Sequence, residues 1–462
     1  MEADNKLIRD LTPEIEHTTY KWYITFFIFF VFFAVGIYGL IQQIDKGHIV
    51  TGMRDNVVWG FYIVNFIFFM GLSYSGALIS GVLHLFHTGW RKPVIRMAEL
   101  ITIISLIIGP FFIFFCIGRL DRLYFLFTHP RIQSPITWDV IAICTDLVGC
   151  FVYLYLSFIE DFAILRDYAD LNVPPWKKKL YKTLSLGFTG TEKQHKILAN
   201  ARTVMAAMII AIAIIVYSVL AWIFGVTLQP GWHSTIFGPY FVIAAVFSGT
   251  GLLIILMWIF RKVYHLEEYI TKRHFVNVGV MLTIIAAFYG YFTFSDYLTK
   301  WYGSIKMDSL LIDKLFTDYY SLFIFANYIG ILIPCIIIAF PRFRTIPSIT
   351  ISAVIALTAL WVNRYIIVIP TLETPFLPIQ DTRPDWITYS PTWVEWSLTL
   401  AGVSVFAMLF MLISKIAPII SISEMQESDK SHECHEKQKI KHNNSFIIYD
   451  NAFCTCYYQG TD

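Results

Sequence analysis

Ten stretches of the chain are apolar almost without interruption, each about 20–30 residues long: 22–41, 57–86, 94–118, 136–163, 203–224, 237–260, 275–297, 318–340, 347–370 and 391–414. At about 1.5 Å of rise per residue, a helix of that length crosses a hydrocarbon core of roughly 30 Å. The pattern predicts an all-α polytopic membrane protein with ten transmembrane spans. The first stretch does not read as a cleavable signal peptide: it is long, lacks a small-residue cleavage pattern, and is followed by nine more.

The polar intervals set the orientation. Counted over alternate loops, one side of the membrane carries 24 Lys and Arg and the other 9. The richer side is expected to be cytoplasmic and it includes both flanking segments, 1–21 and 419–462. Its clearest marker is the 164–202 interval with "PPWKKKLYK". No interval is long enough for a soluble catalytic domain. Spans 2 and 6 share a faint repeat: "GFYIV" at 60–64 matches "GPYFV" at 238–242, and Gly71 matches Gly249 at the same offset. Two parallel four-span units, 2–5 and 6–9, with spans 1 and 10 outside them, fit this repeat.

Composition agrees with the pattern. Hydrophobic residues make up 56% of the 462 residues and charged residues only 15%, against about 25% in soluble domains. A net charge of +2 carries no message about nucleic acid. There is no P-loop, no Rossmann glycine fingerprint, no C-x-x-C-H for covalent haem and no cysteine cluster for iron–sulfur. The chain is therefore expected to hold neither haem nor an iron–sulfur cluster, and demanding redox chemistry would belong to partner subunits. The segment 419–462 is polar and reads as a disordered tail. Metal binding by His432, Cys434, His435 and Cys456 is the competing reading of that tail.

Against this oily background, ionisable groups inside spans stand out, because each costs roughly 2.5–3.5 kcal/mol to insert. Span 4 carries Asp139, Asp146, Glu160 and Asp161. Asp139, Asp146, Tyr153 and Glu160 recur every seventh residue, with about 20° of drift per step. They form one polar stripe about 31 Å long on a single helix face. Glu99 on span 3 lies near its inner end, and together these groups resemble a proton path. The bland alternative makes Asp139 and Glu160 interfacial end residues. Arg364 in "WVNRYIIVIP" lies about two turns inside span 9, with Asp139 as its expected partner at similar depth. Glu395 in "TYSPTWVEWSL" sits among aromatic residues expected at the interface. Cys116, Arg119, His129 and His233 join Asp139 and Arg364 at the outer ends.

Several of these segments together resemble one family. "RMAELIT" at 96–102, "GR" at 118–119, "SPITWDV" at 134–140, "PGWHSTIFGPYF" at 230–241, "NRYIIVI" at 363–369 and "YSPTWVEW" at 389–396 look like the NrfD/polysulfide-reductase-type membrane subunits. The resemblance is strongest to the ten-span branch found in alternative complex III. It covers about residues 10–420. It implies a haem-free subunit of the prokaryotic cytoplasmic membrane, part of a respiratory electron-transport chain, with a quinol site, for menaquinol by expectation, near the outer face. It also implies an iron–sulfur or molybdopterin-type partner outside, cytochrome c-type and other membrane subunits, and proton translocation through the bundle. Asp139 falls at the family's acidic quinol-site position, as the catalytic proton acceptor. Cys116, Arg119, His129, His233 and Arg364 are the expected quinol-binding residues. Glu99, Asp146, Tyr153 and Glu160 are the expected proton pathway. Two departures accompany the resemblance: Cys116 stands where relatives have His, and Ala221 about where they carry an acid.

Three other readings of the same residues stay open. A degenerate paralogue would keep the fold without quinol turnover. A secondary transporter should break corresponding helices at mid-membrane, whereas Pro110 and Pro334 do not correspond. A b-type cytochrome anchor needs facing His pairs at depth, whereas His84, His87 and His274 cluster near inner ends.

Overall fold

The computed structural model describes residues 2–86, 88–118, 120–168, 171–227, 229–374 and 388–426. All ten predicted spans are helices of membrane-crossing length. In chain order they are α1 Tyr20–Lys46, α2 Gly60–Leu85, α3 Lys92–Cys116, α4 Pro135–Asp167, α5 Glu192–Gly225, α6 Phe237–Val263, α7 Lys272–Gly303, α8 Tyr320–Ala339, α9 Ile346–Leu372 and α10 Trp393–Ile413. Helices answer the bilayer's demand that each backbone N–H and C=O find a partner within its own segment. Their starts are set locally. Pro135 opens α4 behind Ser134, and Thr191, Thr271 and Thr392 form capping boxes with Gln194, His274 and Glu395.

The helices assemble as two four-helix bundles and a peripheral pair. Helices α2, α3, α4 and α5 close one ring, and α6, α7, α8 and α9 close the other. Each ring begins at the same end of the molecule, as a parallel repeat requires. The α2–α6 packing joins the rings, and the repeated glycine explains its closeness. A Cβ on Gly249 would lie 1.4 Å from Ser75 Oγ, so the helices meet almost backbone to backbone. Helix α1 pairs with α10 in the same manner, through Gly36 against Ala401 and Gly39 against Ser397. The α1 face away from α10 exposes a run of Phe, Ile and Tyr, as a lipid-facing helix should.

Helix α8 departs from regularity. Residues Tyr320–Ile324 are α-helical, Phe325–Ile329 form a π-turn, and Gly330–Ala339 resume the helix around Pro334. A proline inside a helix removes one donor and crowds the carbonyl four residues earlier, and a wide turn absorbs that misfit.

The segment expected to be disordered from residue 419 begins with a packed stretch. Ile419, Ile420 and Ile422 are buried, and so are Ser421, Ser423 and Glu424. They lie where residues 2–19 meet the ends of the helices, hereafter the terminal end; the opposite end is the far end. Lys177 Nζ donates to the carbonyls of Ile15 and Lys415, both at 2.8 Å, and Tyr181 Oη donates to Ile416 at 3.0 Å. The proposed tail metal ligands His432, Cys434, His435 and Cys456 lie outside the described residues.

Candidate functional site

Helix α4 separates its faces sharply. Ile141, Leu147, Val148, Phe151 and Val152 face outward, while the heptad-spaced polar residues face the first bundle's interior. Asp139 is 3% exposed, Asp146 0%, Tyr153 4% and Glu160 6%. Both ends of the stripe are thus buried, with Glu160 lining a cavity that opens at the terminal end. Three groups on this stripe keep a buried oxygen without a well-formed protein hydrogen bond: Asp139 Oδ1, Asp146 Oδ2 and Tyr153 Oη, the last with the Ser80 hydroxyl beside it. So do Glu99 Oε2 on α3 and Tyr74 Oη on α2. Tyr74 lies in Coulombic range of both Asp146 and Asp139, and Tyr153 in range of Glu99. One firm contact holds Asp146, whose Oδ1 accepts from the Cys150 thiol at 3.2 Å. An unpaired buried polar atom costs about 1–3 kcal/mol, so four such atoms in one column, with Glu99 Oε2 held only by a 3.6 Å ion pair to Arg96, are an arrangement that core packing alone would not select.

At the terminal end the column runs into a buried ionic cluster. Glu160 is hydrogen-bonded to His195 Nδ1 at 2.8 Å and lies 3.6 Å from Arg202. Arg202 also pairs with Glu424 from the segment after α10. Asp161 pairs with Arg96 at 2.8 Å and accepts from the Ser423 backbone N–H at 2.9 Å. Arg96 lies 3.6 Å from Glu99 and stacks 3.9 Å above the Phe158 ring. Burial alone would raise the Glu424 carboxyl, but Arg202, helped by Arg91, His84 and Arg96, outweighs it and holds the group below the ordinary carboxylate range. A cavity of about 410 Å³ reaches this cluster from the terminal surface, lined by Glu160, His195, Asp167, Tyr168 and Ser423 among others. Sequence reasoning picked out Glu99 and Glu160 but not their partners. The i,i+3 pair Arg96–Glu99 was visible in "RMAEL". Arg202 sat one residue outside its expected span, and nothing local marked Glu424.

At the far end the expected residues divide between the bundles. Cys116 caps α3, half-buried, its thiol 3.8 Å from the Trp59 carbonyl. Beside it lies a residue the sequence reading passed over. His48, in the α1–α2 connection, sits against Gly118 and bonds the Ile117 backbone. Its Nδ1 is 3.5 Å from Gln43 Nε2, and Gln43 in turn bonds Phe115 O at 2.7 Å and Tyr62 Oη at 2.5 Å. Burial lowers the His48 pKa below the ordinary imidazole value, which keeps the ring neutral at pH 7. Ala221 is fully buried on α5, so that interior position offers a methyl group.

Arg364 is 2% exposed, yet it does not reach Asp139. Its guanidinium lies 4.7 Å above the Phe241 ring, near Tyr217, Tyr240 and Tyr289, and Nη1 has no partner. Helix α9 belongs to the second bundle, which aims Arg364 at α6 instead of α4. His233 pairs with Asp308 at 3.5 Å on the second-bundle side, 44% exposed. In that loop Trp232 turns inward, stacking on Trp59 at 6.1 Å and donating to the Ile367 carbonyl at 2.7 Å. His129 is exposed, its ring bonded to Thr128 and set edge-on against Phe125, while Arg119 lies outside the described residues. Glu395 is fully buried as a latch. It accepts from the backbone N–H of Gly52 and Thr392 and from Tyr389 Oη, at 2.8, 2.9 and 2.5 Å.

Known proteins match this chain over most of its length. A putative membrane subunit of dimethyl sulfoxide reductase from Halobacterium salinarum is 25% identical, the match covering 83% of this chain and 88% of that protein. The integral membrane subunit of menaquinone reductase from Nitratidesulfovibrio vulgaris is 24% identical over the same shares, 83% and 88%. The integral membrane subunit of an Hdr-like menaquinol oxidoreductase from Archaeoglobus fulgidus is 22% identical, over 87% and 95%. These relatives are integral membrane subunits of reductase complexes, two of them named for menaquinone or menaquinol. The family described as "Polysulphide reductase, NrfD" matches residues 49–375, both four-helix bundles but neither helix of the peripheral pair α1 and α10. With that match over most of its length, the chain belongs to the NrfD polysulphide reductase family of membrane subunits.

Proposed function

We propose that this chain is the quinol-binding membrane subunit of a respiratory oxidoreductase complex of a prokaryotic cytoplasmic membrane, with its terminal end on the cytoplasmic side. Oxidising one quinol releases two electrons and two protons. The first bundle offers an acceptor for the protons at its far end, where Asp139 is buried and has one oxygen unengaged. His48, neutral at pH 7 and adjacent to Cys116, supplies an imidazole where the sequence alone offers a thiol. The electrons pass to an iron–sulfur partner docked at the far face, and on to whatever molybdopterin-type or cytochrome subunit completes the complex. The chain carries no complete redox site of its own in this reading.

Protons then have a route. Asp139, Tyr74, Asp146, Tyr153, Glu99 and Glu160 run along one bundle interior from the far end to the terminal cavity, and buried oxygens without fixed partners can change hydrogen-bond partners as a proton moves. That column is the observation on which the proposal rests. A charged side chain inside a membrane is retained where it marks an ion or proton pathway.

The test is Asp139→Asn in the complex purified from native membranes. A positioned general base contributes about 10²–10⁴ in rate, so menaquinol oxidation should fall by that factor while the subunits still co-purify. Turnover within about twofold of wild type would remove Asp139 from the chemistry.

A further inference from the structure

The second bundle has a cavity of its own. It lies between α7 and α8 under the short helix Lys306–Thr317 and holds about 480 Å³, within the range of small-molecule sites. Phe294 and Trp301 of α7, Phe316 of the short helix, and Tyr328 and Leu332 of α8 form its mouth, all exposed on the lipid-facing surface. Its floor is polar. Thr293, Tyr297 and Asn327 line it, and Asn327 sits in the π-turn, a distortion frequent at functional sites. Behind the floor the polarity continues: Asn363 Nδ2 donates to Asn327 Oδ1 at 3.2 Å, Tyr240 Oη donates to Asn363 Oδ1 at 3.4 Å, and the Tyr240 and Tyr289 hydroxyls are 3.2 Å apart.

The chemistry of the lining selects an occupant. Among the described residues it contains no Lys, Arg, Asp or Glu, so nothing described there would hold a phosphate or an ammonium. Asp296 and Lys300, on the same helix as Tyr297, pair with each other. Asn327 lies seven residues beyond Tyr320, about 10 Å below the far end of α8. A lipid headgroup stays at the interface, whereas an uncharged head can descend to that depth. Six aromatic side chains around the cavity suit a flat ring, and the amide of Asn327 and the phenol of Tyr297 at the floor suit its carbonyl oxygens. We propose that this pocket binds an isoprenoid quinone entering from the bilayer, at a site separate from the carboxylate column. With no carboxylate or imidazole in its lining, it holds a quinone without taking protons from a quinol. It is a reservoir or exchange site, and it stands whether or not Asp139 oxidises quinol.

Photolabelling the full-length protein in lipid nanodiscs tests this. The probe is an azido-naphthoquinone carrying an isoprenoid chain, with adducts mapped by mass spectrometry. Label is expected on peptides of α7 and α8, and unlabelled menaquinone should compete it away. Gly290 lines the pocket, and a Cβ there meets Ile331 at an ordinary 3.5 Å, so Gly290→Leu fills the space. Asn327→Leu removes the polar floor and serves if the first variant does not fold. Either should cut α7–α8 labelling at least tenfold, leave first-bundle labelling intact, and leave the melting temperature near wild type. Asp139→Asn should leave α7–α8 labelling unchanged, which separates this site from the proposed quinol-oxidation site. The proposal is overturned if α7 and α8 carry no label, if label survives both pocket variants, or if excess phospholipid competes as well as menaquinone, which would make the pocket an acyl-chain crevice.

Discussion

Arg202→Met isolates the ionic cluster at the terminal end. The Arg202 side chain is 10% exposed and serves two carboxylates, Glu160 at 3.6 Å and Glu424 in direct contact. Methionine fills similar space without charge, so the substitution strands Glu424 and leaves Glu160 with His195 alone. Removing one partner of a buried pair costs about 3–5 kcal/mol. Unfolding entropy of about 2.1 cal/mol/K per residue over 462 residues comes to roughly 1 kcal/mol/K, so the melting temperature should fall by about 3–5 °C. The measurement is a thermal melt of the purified protein in detergent, followed with a thiol-reactive dye. Glu424→Gln in the same background removes one stranded charge and should recover about half the loss. Alone it should cost less than Arg202→Met, because Arg202 keeps Glu160.

The pH dependence adds a signed check. In the wild type the Glu424 carboxyl is held below its ordinary range. Its stabilisation is complete above the unfolded carboxylate value of about 4.3 and is lost as pH falls through the lower folded value. In Arg202→Met the largest opposing charge is gone and burial weighs against only Arg91, His84 and Arg96, so the folded value rises and the cost is relieved as pH falls. The melting temperature of the variant should therefore approach that of the wild type as pH drops from 7 to 5. A variant that melts with the wild type at pH 7, or whose deficit widens on acidification, would refute the assignment of Arg202 as the cluster's charge anchor.

Other outcomes follow from the same geometry. Glu160→Gln should lower protons moved per electron in proteoliposomes while electron transfer stays within about threefold; equal loss of both would take Glu160 out of the column. His48→Ala should reduce menaquinol turnover by about 10–100-fold and abolish an acid limb of the pH–rate profile below about pH 6.5, and Cys116→His should restore much of that rate. Unchanged kinetics in His48→Ala would leave the far end without its imidazole. Gly249→Ala should lower stability by about 1–3 kcal/mol through overpacking at the α2–α6 seam, with Ser75→Gly recovering it, since the clash is with Ser75 Oγ. Full stability of the single variant would mean the two helices separate freely.

The ten spans, their grouping into two rings and the heptad stripe of α4 were readable in the chain, because each rests on periodicity or on a local excess of apolar residues. What was not readable depends on contacts between distant segments. Glu424 lies 222 positions from Arg202 in the chain, and a polar stretch after the last span looks the same whether it packs or not. The sequence sets Arg364 at a depth similar to that of Asp139, but depth fixes only one coordinate. Which neighbour α9 faces decides its contacts, and that neighbour is α6. Likewise "PGWH" draws the eye to His233, while the fold buries Trp232 and leaves the imidazole half-exposed beside Asp308. His48 followed the last turn of α1 in a short polar loop, where a lone histidine is ordinarily solvated.

The two rings have parted company in chemistry while keeping one scaffold. The third helix of the first ring, α4, carries Asp139, Asp146, Glu160 and Asp161; the third helix of the second, α8, carries no Asp, Glu, Lys, Arg or His between Tyr320 and Ala339. In their place are one buried amide, Asn327, and the π-turn that presents it. Acids that can take and release protons suit a half that moves charge, and neutral amides and phenols suit a half that only holds a ligand. The seam between them is built for close contact, with Gly249 against Ser75 and the Trp59–Trp232 stack at its far end. Arg364 sits beside that seam with one guanidinium nitrogen unbonded and Tyr217 of the first ring within its field. A cation placed there lies against the Phe241 ring of the second bundle and within the field of Tyr217 of the first, held by an aromatic face rather than by a carboxylate.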